Sequence, residues 1–252
     1  MRIVFLTSTL GTYKKIKGKK YPCFIENSNH FLEQLKQALP KDANVLLIPA
    51  DPNSFEKNEE TLKIMKKSFN KSKLSYKKLT MLNQMNQKEL LPSLSFFDAI
   101  ILCGGHLPTQ NKWFQDIHLK ERLKVYPNVL IAESAGSMNC AGKVYSCPES
   151  EEEIRDSTFN KWLDGLDIIS INLFPHYHKF LTTPIGKTNL IFDIVRKDSI
   201  NHPIYALSDG SYIKMERGQI TIYGECFKIW NEKIINICQN KESLILNLKE
   251  EI

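Results

Sequence analysis

The chain has 252 residues, of which 42% are hydrophobic and 25% charged, the mix of an ordinary soluble globular protein with enough chain to bury a sizeable core. No apolar run approaches the ~18–20 residues of a membrane span, and the run after Arg2 is too short for the apolar core of a signal peptide. The formal net charge is +6, but no RNA- or DNA-binding motif accompanies the lysines, so we expect neither a nucleic acid nor a membrane as partner.

Short apolar segments bounded by turn residues predict buried strands in the first half of the chain. They span residues 2–7, 44–49, 78–82, 98–103 and 128–132. Between these strands, apolar residues at helical spacing predict helices over residues 27–39, 59–70 and 112–123. Strands that alternate with helices favour a parallel sheet covered on both faces.

The sequence pattern changes beyond Cys147. An acidic cluster over residues 150–156 indicates a loop or the start of a helix, and residues 168–174 predict a strand that ends in Pro175-His176. Later strands are predicted over residues 205–207, 211–216 and 219–223, and alternation over residues 228–237 extends this antiparallel region. Arg217-Gly218 predicts a hairpin turn.

No linker or internal repeat divides the sequence, so we expect a single domain over residues 1–252. The predicted fold class is α/β: a three-layer α/β/α sandwich with a mostly parallel, flavodoxin-like central sheet and a C-terminal antiparallel hairpin. Ligands of open α/β sheets bind outside the carboxyl ends of the strands, so candidate functional residues are sought at that edge.

Ser134 directly follows the fifth predicted strand and therefore lies at this edge. Ala135 and Gly136 let the backbone turn sharply from strand into helix, which is the arrangement of a nucleophile elbow. The N–H of Ala135 and the helix N-terminus would then face a developing oxyanion. The alternative is a helix N-cap in a tight turn, since Ala132 stands where the usual motif has glycine.

A serine hydroxyl needs a base, and a base needs a group that orients it. Of the six histidines, His176 lies just past the end of a predicted strand, where its imidazole could reach Ser134. The orienting group should be a carboxylate. Asp209, which follows a short strand and precedes Gly210, is the first candidate. The other candidates come from the acidic loop: Glu149, Glu151 and Asp156.

Glycines after the fourth strand can bring a second backbone N–H to the oxyanion, and Gly104-Gly105 are placed to do so.

Four stretches of the sequence follow one another in the order strand–Gly-Gly, strand–Ser-Ala-Gly, strand–Pro-His and strand–acid-Gly. They read AIILCGGHLPTQN, LIAESAGSMN, NLFPHYH and IYALSDGSYI. In this order they resemble the peptidase E/cyanophycinase family of serine peptidases, whose fold is like that of class I glutamine amidotransferases.

The resemblance covers about the second half of the chain and implies a site. It makes Ser134 the nucleophile and His176 the base, with the N–H groups of Gly105 and Ala135 as the oxyanion hole. Family members carry an Asp or Glu in the place of Asp209, which makes Asp209 the first choice for the acid. Glu149 is the second, because family members also carry an acid a similar distance past the serine.

The chain departs from the family pattern beside the expected substrate pocket. Members of the peptidase E type tend to have Gly-Gly-Asn-Thr, whereas His106 follows the glycine pair here, and Glu133 replaces an often uncharged residue. Aspartyl-dipeptide specificity therefore does not carry over. We expect His106, Thr109 and Asn111 to contact the substrate, although His106 could also compete with His176 as base.

These observations together predict a cytoplasmic, dipeptidase-like serine hydrolase. It would cleave a peptide or amide bond of a small, acidic peptide through an acyl-enzyme on Ser134, without a metal or organic cofactor. One alternative is an amidotransferase-like enzyme acting on glutamine, although those enzymes use cysteine in the elbow. The other is a non-catalytic ligand-binding module on the same fold, and a homodimer is one assembly that we consider.

Two further features fit a cytoplasmic protein with an anionic ligand. The six cysteines form no Cys-x-x-Cys pair, so free thiols are expected. A run of lysines between Lys14 and Lys20 follows the first strand; it is interpreted either as a solvated loop or as a loop that attracts an anion to a nearby pocket.

Overall fold

The computed structural model describes residues 2–247. Its strands, numbered along the chain, are β1 (Val4–Thr7), β2 (Tyr13–Ile16), β3 (Lys19–Pro22), β4 (Ala43–Ile48), β5 (Tyr76–Met81), β6 (Ala99–Leu102), β7 (Val129–Glu133), β8 (Lys143–Tyr145), β9 (Trp162–Asp164), β10 (Asn172–Phe174), β11 (Ile204–Leu207), β12 (Tyr212–Glu216), β13 (Gln219–Tyr223), β14 (Cys226–Trp230), β15 (Lys233–Cys238) and β16 (Ser243–Ile245).

The helices are α1 (Phe31–Ala38), α2 (Phe55–Lys71), α3 (Gln87–Leu90), α4 (Leu107–Asp116), α5 (Leu119–Lys124), α6 (Ala135–Met138), α7 (Glu151–Arg155), α8 (Tyr177–Thr182) and α9 (Arg196–Asp198). Short 3₁₀ segments, Ser28–His30 and Leu91–Phe96, adjoin α1 and α3, and a π-helical segment, Leu190–Val195, leads into α9. No helix within residues 2–247 is long and apolar enough to cross a membrane.

Eight strands form the central sheet, in the order β16-β13-β12-β1-β7-β6-β4-β5 within the described residues. Five neighbouring strands run parallel to one another: β1, β7, β6, β4 and β5. Beyond β1 the sheet continues with β12, β13 and β16, each antiparallel to its neighbour. The β12–β13 hairpin turns at Arg217 and Gly218, both at positive φ. The predicted mostly parallel sheet and C-terminal hairpin are confirmed.

Apolar side chains cover both faces of this sheet. Alternate residues of a strand point to opposite faces, so Phe5 packs towards α1 and α2, whereas Leu6 packs towards α4 and α5. The first face buries Phe31, Leu35, Met65 and Phe69 of the covering helices, and the second buries Trp113, Phe114, Leu119 and Leu123. The predicted three-layer sandwich follows from this double burial.

Three predicted segments are changed most in the structure. The helix predicted over residues 112–123 is two helices, α4 and α5, because His118 between them takes a left-handed conformation with φ of 50°. The strand predicted over residues 168–174 is reduced to β10, and Ile169 forms only an isolated bridge with Ala141. The lysine run is a β-hairpin of β2 and β3 that turns at Lys17 and Gly18.

A second, four-stranded sheet has the order β10-β11-β14-β15 within residues 2–247. The sequence predicted strands in these regions but not that they would form a separate sheet. Leu173 of β10 and Leu207 of β11 share an apolar cluster with Leu102 and Leu130 of the central sheet. This packing brings the ends of β10 and β11 towards the end of β7.

Candidate active site

Ser134 occupies a sharp turn between β7 and α6. Its φ of 51° and ψ of −120° are rare for a residue with a side chain and store strain at this point. The N–H of Ser134 donates to the carbonyl oxygen of Thr7 at 3.0 Å, and the hydroxyl of Ser137 donates to the same oxygen at 2.9 Å. A Cβ on Gly136 would lie 2.4 Å from the Leu102 carbonyl oxygen, so α6 approaches β6 this closely only with glycine.

His176 lies between β10 and α8 and also has a left-handed backbone, with φ of 59°. Its N–H donates to the Ser8 hydroxyl at 2.7 Å, which ties this turn to the residue that follows β1. The Nε2 atom of His176 lies 3.1 Å from Ser134 Oγ. This distance is within hydrogen-bond reach, so the imidazole can take the hydroxyl proton.

Asp209 follows β11 and lies on the other side of the imidazole. Its Oδ1 is 2.7 Å from His176 Nδ1 and also accepts a hydrogen bond from Ser8 Oγ at 2.7 Å. Burial raises the pKa of Asp209, but hydrogen bonds from His176 and Ser8 and the charge of His176 outweigh burial, so the net pKa lies below its usual range. An ionised carboxylate only accepts hydrogen bonds, which keeps the proton of a neutral imidazole on Nδ1 and leaves Nε2 free to act as base.

Glu149, the second candidate for the acid, lies elsewhere in the site. Both ring nitrogens of His176 already have partners, Asp209 and Ser134, so Glu149 is not placed to orient this imidazole. Burial raises the pKa of Glu149, and this effect is only partly offset by His106, by the Leu107 N–H and by Lys179.

The remaining acidic candidates make local contacts. Glu151 forms an ion pair with Arg155 on α7, and Asp156 accepts hydrogen bonds from the backbone N–H and the hydroxyl of Thr158. These carboxylates stabilise the segment around α7 and do not reach the imidazole.

The backbone around Ser134 leaves room for two N–H donors. Ala135 is the first residue of α6, where a backbone N–H has no partner within the helix. A Cβ on Gly105 would lie 2.3 Å from Ala50 Cβ, so the loop passes Ala50 this closely only with glycine; a Cβ on Gly104 would make a tight contact of 3.1 Å with Ser134 Cβ. Gly105, Ser134 and Ala135 line one cavity together.

The three residues expected to contact substrate are placed differently from one another. His106 lines the cavity beside Ser134, with Nδ1 2.8 Å from Thr109 Oγ1 and Nε2 3.0 Å from Glu153 Oε1. Both nitrogens are therefore occupied, and His106 does not compete with His176 for the serine. The Thr109 hydroxyl is hydrogen-bonded to the His106 imidazole rather than directed at the serine. The amide of Asn111 is buried and donates to Asn139 Oδ1 and to the Asp164 carbonyl oxygen, both at 2.8 Å, which places it in the packing around α4.

Ser134 and His176 lie where two cavities meet. The first, of about 380 Å³, has a mixed polar and apolar lining and is bounded by the end of β1, the β2–β3 hairpin and α2; its charged lining residues are Lys20, Asp51, Lys57 and Glu133. The second, of about 440 Å³, is largely apolar, with Glu149 and Lys179 at its walls; its apolar lining includes Met138, Phe174, Phe180 and Leu190. Lys57 lines both cavities. Each is the size of a small-molecule pocket.

Sequence reasoning missed two residues of this site. Ser8 bonds both the His176 backbone and the Asp209 carboxylate, and Lys57 lies near the serine on the first turn of α2. Ser8 could have been found from its position after β1, at the same carboxyl edge as Ser134. No signal in the sequence singles out Lys57 among the lysines. Residues 2–247 hold no cluster of three or more His, Cys, Asp or Glu side chains placed to bind a metal ion.

Comparisons with known proteins agree with this fold and give the family. A crystal structure from Listeria monocytogenes EGD-e, described as that of a candidate peptidase E protein, superposes with a TM-score of 0.55 over 98% of each chain at 16% identity, and it shows the fold alone. A search of curated proteins finds no match. The model of peptidase family S51 matches residues 23–223, which is more than half of the chain and includes Ser134, His176 and Asp209. The expected resemblance to peptidase E is confirmed, and membership supports a peptidase function: the chain belongs to peptidase family S51.

Proposed function

We propose that this protein hydrolyses a peptide or amide bond of a small peptide by acyl transfer to Ser134. The observation that carries the proposal is the continuous hydrogen-bonded chain from Ser134 Oγ to His176 Nε2 at 3.1 Å and from His176 Nδ1 to Asp209 Oδ1 at 2.7 Å. A hydroxyl, an imidazole and a carboxylate in this order are the parts of a serine nucleophile with its base and orienting acid.

Acylation begins when His176 takes the Ser134 proton as Oγ attacks the substrate carbonyl. The carbonyl oxygen becomes an oxyanion, which the N–H groups of Gly105 and Ala135 stabilise. Asp209 stabilises the imidazolium that forms. His176 then gives its proton to the leaving amine, the C–N bond breaks, and an ester joins the acyl group to Ser134.

Deacylation repeats these steps with water as the nucleophile. His176 accepts a proton from water as its oxygen attacks the ester, and then returns that proton to Ser134 Oγ as the C–O bond breaks. The products are a carboxylic acid and free enzyme, so atoms and charge balance over the cycle. His176 accepts and donates the proton in every transfer of the cycle.

Although carboxylates also line the cavities, two of their lysines support a short substrate with an anionic group. Together the cavities offer room for a few residues on either side of Ser134, and Lys57 and Lys179 both line them. Within residues 2–247, neither lysine is in an ion pair, whereas Lys20 is paired with Glu60 at 2.7 Å. An acidic dipeptide is therefore the substrate class that we would test first.

A cysteine nucleophile, as in glutamine amidotransferases, has no support at this elbow. Cys140, the nearest cysteine in sequence, is buried, and its Sγ lies 3.3 Å from the Gly136 carbonyl oxygen. Burial raises the pKa of its thiol to about 12, so the thiol stays protonated at neutral pH. The thiolate is the nucleophilic form, so this cysteine is inert.

The proposal is tested with a fluorophosphonate probe and a dipeptide panel. We expect the wild-type protein to be labelled at Ser134 and to hydrolyse at least one dipeptide, and we expect Ser134→Ala and His176→Ala to lose labelling and turnover while their circular dichroism is unchanged. Ser95→Ala, at an exposed serine outside the cavities, is the control. Absence of both labelling and turnover in the wild type would favour a non-catalytic ligand-binding module.

A further inference from the structure

A second histidine lies close to the candidate base. His178 is the second residue of α8, whereas His176 directly precedes this helix. The Nε2 atom of His178 lies 2.5 Å from Oε2 of Glu225, the residue immediately before β14. The proposed chain from Ser134 to Asp209 uses neither of these two side chains. Their contact ties the first turn of α8, and so the segment that carries the base, to the start of β14.

The same carboxylate oxygen reaches the turn that carries the candidate acid. The hydroxyl of Ser208, a buried residue directly before Asp209, donates to Glu225 Oε2. The Ser208 N–H also donates to the Glu225 carbonyl oxygen at 3.3 Å, just beyond the pairing of β11 with β14. Ser208 begins a tight turn, because its carbonyl oxygen accepts the Ser211 N–H at 3.0 Å and Gly210 has a left-handed φ of 89°. The backbone and the side chain of Glu225 thus both hold the first residue of this turn.

The charge state of Glu225 suits it to bind both partners. Burial raises the pKa of its carboxyl group, but hydrogen bonds from Ser208 and His178 and the charge of His178 outweigh burial, so the net pKa lies below its usual range. An ionised carboxylate only accepts hydrogen bonds, and one of its oxygens can accept from two donors. The Ser208 hydroxyl and a ring N–H of His178 can therefore be bonded to it at the same time.

Aromatic packing holds α8 against β14 at the same place. Tyr177 stacks on Phe227 of β14 with ring centroids 4.1 Å apart, and His178 meets the Phe227 ring edge-on at 6.1 Å. Glu225 differs from these rings because its carboxylate also contacts Ser208. It therefore links the segment that carries the base to the turn that carries the acid.

We propose that Glu225 is a positioning residue of the active site, which fixes the His176 imidazole relative to the Asp209 carboxylate. It does so from outside the site, by joining α8 to Ser208. This inference rests on the proposed acyl transfer at Ser134. Glu225 takes no part in bond making and lines neither of the two cavities that meet at the serine.

The test compares Glu225→Ala and Glu225→Gln with Glu121→Gln, a change at an exposed glutamate on α5. Glu225→Ala removes both side-chain hydrogen bonds, so we expect kcat to fall more than about tenfold, since misplacements of about 1 Å are costly, while KM changes less than about threefold. Glu225→Gln keeps an oxygen that can accept from both donors and should recover most of the loss. Glu121→Gln should match the wild type, and circular dichroism should be unchanged in all three variants.

His178→Ala breaks the same link at its other end and keeps the inference testable if Glu225→Ala folds poorly. The side chain of His178 is 57% exposed, so its loss should leave the fold intact. We expect kcat to fall in this variant too, and we expect the double variant His178→Ala, Glu225→Ala to be no slower than Glu225→Ala. Losses that multiply in the double variant would mean that the two side chains act independently, and would overturn the inference.

Proton NMR of the His176 ring gives a measurement that does not depend on turnover. The resonance of the Nδ1 proton bonded to Asp209 should shift or broaden in Glu225→Ala, but should stay as in the wild type in Glu225→Gln and Glu121→Gln. An unchanged resonance or an unchanged kcat in folded Glu225→Ala would overturn the inference, whether or not KM rises. If the wild type shows neither labelling nor turnover, the proposed function fails, and the resonance alone still decides whether Glu225 orders the imidazole against the carboxylate.

Discussion

Two of the three residues proposed for the catalytic chain have left-handed backbones, Ser134 and His176. Such conformations cost free energy in residues with side chains and persist only where the surroundings hold them. Here the holding groups are adjacent: Thr7 accepts the Ser134 N–H, and Ser8 accepts the His176 N–H. The end of β1 therefore fixes the nucleophile and the base relative to each other, without supplying a reacting group.

The choice between the two candidate acids is open to a direct comparison of Asp209→Asn with Glu149→Gln. The amide of Asn would favour the wrong tautomer of His176, so we expect kcat to fall by about 10³- to 10⁴-fold. Glu149→Gln removes a charge from the cavity wall but no contact with the imidazole, so we expect a loss of less than about tenfold, seen mainly in KM.

Thermal unfolding provides the control for this comparison. The side chain of Asp209 is 55% exposed, and an exposed ion pair contributes little to stability, so the two variants should unfold within a few degrees of the wild type. Equal losses of kcat in both variants would contradict the assignment of Asp209.

The sequence indicated the three residues that we propose for catalysis, but not all of the residues that hold them in place. Ser134, His176 and Asp209 each follow a short apolar segment, so the rule that sites lie at the carboxyl ends of strands brought them together. Ser8 was missed because its partners, His176 and Asp209, lie 168 and 201 positions away in the chain, and no local pattern encodes such a contact. The hydrogen bond from the Leu10 N–H to the Glu133 carboxylate is equally non-local.

At the scale of elements, the candidate oxyanion hole depends on the close passage of the loop after β6 along the end of β4. Gly105 does not require its glycine for a left-handed backbone, since its φ is not positive. This position requires glycine because there is no space for a side chain: a Cβ would lie 2.3 Å from Ala50 Cβ. Substitutions at Gly105 and Ala50 can therefore test whether the steric clash alone explains the need for glycine.

Gly105→Ala should push this loop away from Ala50 and misplace its N–H, which predicts a fall in kcat on the order of 10²-fold. The double variant Ala50→Gly, Gly105→Ala removes the opposing methyl group and should recover most of the loss, whereas Ala50→Gly alone should stay close to wild type. Steady-state kinetics of the three proteins provide the check. A double variant as slow as Gly105→Ala would show that the clash is not the cause.

The elements that the sequence predicted well are those with local patterns. The parallel strands are continuous apolar runs, and all five expected in the first half are present as β1, β4, β5, β6 and β7. Strand pairing is harder to predict from local patterns, because tertiary packing determines the partner of a strand of only three residues such as β10. The second sheet, and the break between α4 and α5 at His118, were therefore beyond the sequence pattern.

At the scale of the whole molecule, the proposed catalytic chain spans two sheets. Ser134 follows β7 of the central sheet, whereas His176 and Asp209 follow β10 and β11 of the second sheet. No strand pairing joins β10 or β11 to the central sheet within the described residues, so their relative position depends on side-chain packing. One apolar cluster contains residues of both sheets, including Leu207 next to the site and Leu46 on β4, away from it.

This arrangement predicts that two equally buried leucines differ in their effect on catalysis. Leu207 and Leu46 are 1% and 0% exposed, and replacing either by alanine should lower the free energy of unfolding by ~2–5 kcal/mol. Leu207 ends β11 close to Asp209, so its loss lets the second sheet shift and should lower kcat more than about tenfold, since misplacements of about 1 Å are costly. Leu46→Ala should change kcat less than about twofold, because Leu46 lies in the middle of β4, before the end of the strand that faces the Gly105 loop, and β4 carries no part of the chain from Ser134 to Asp209. Urea unfolding measures the stability and steady-state kinetics the rate. Equal kcat values in the two variants would mean that the hydrogen bonds through Ser8 alone, and not the packing between the sheets, hold the imidazole against the serine.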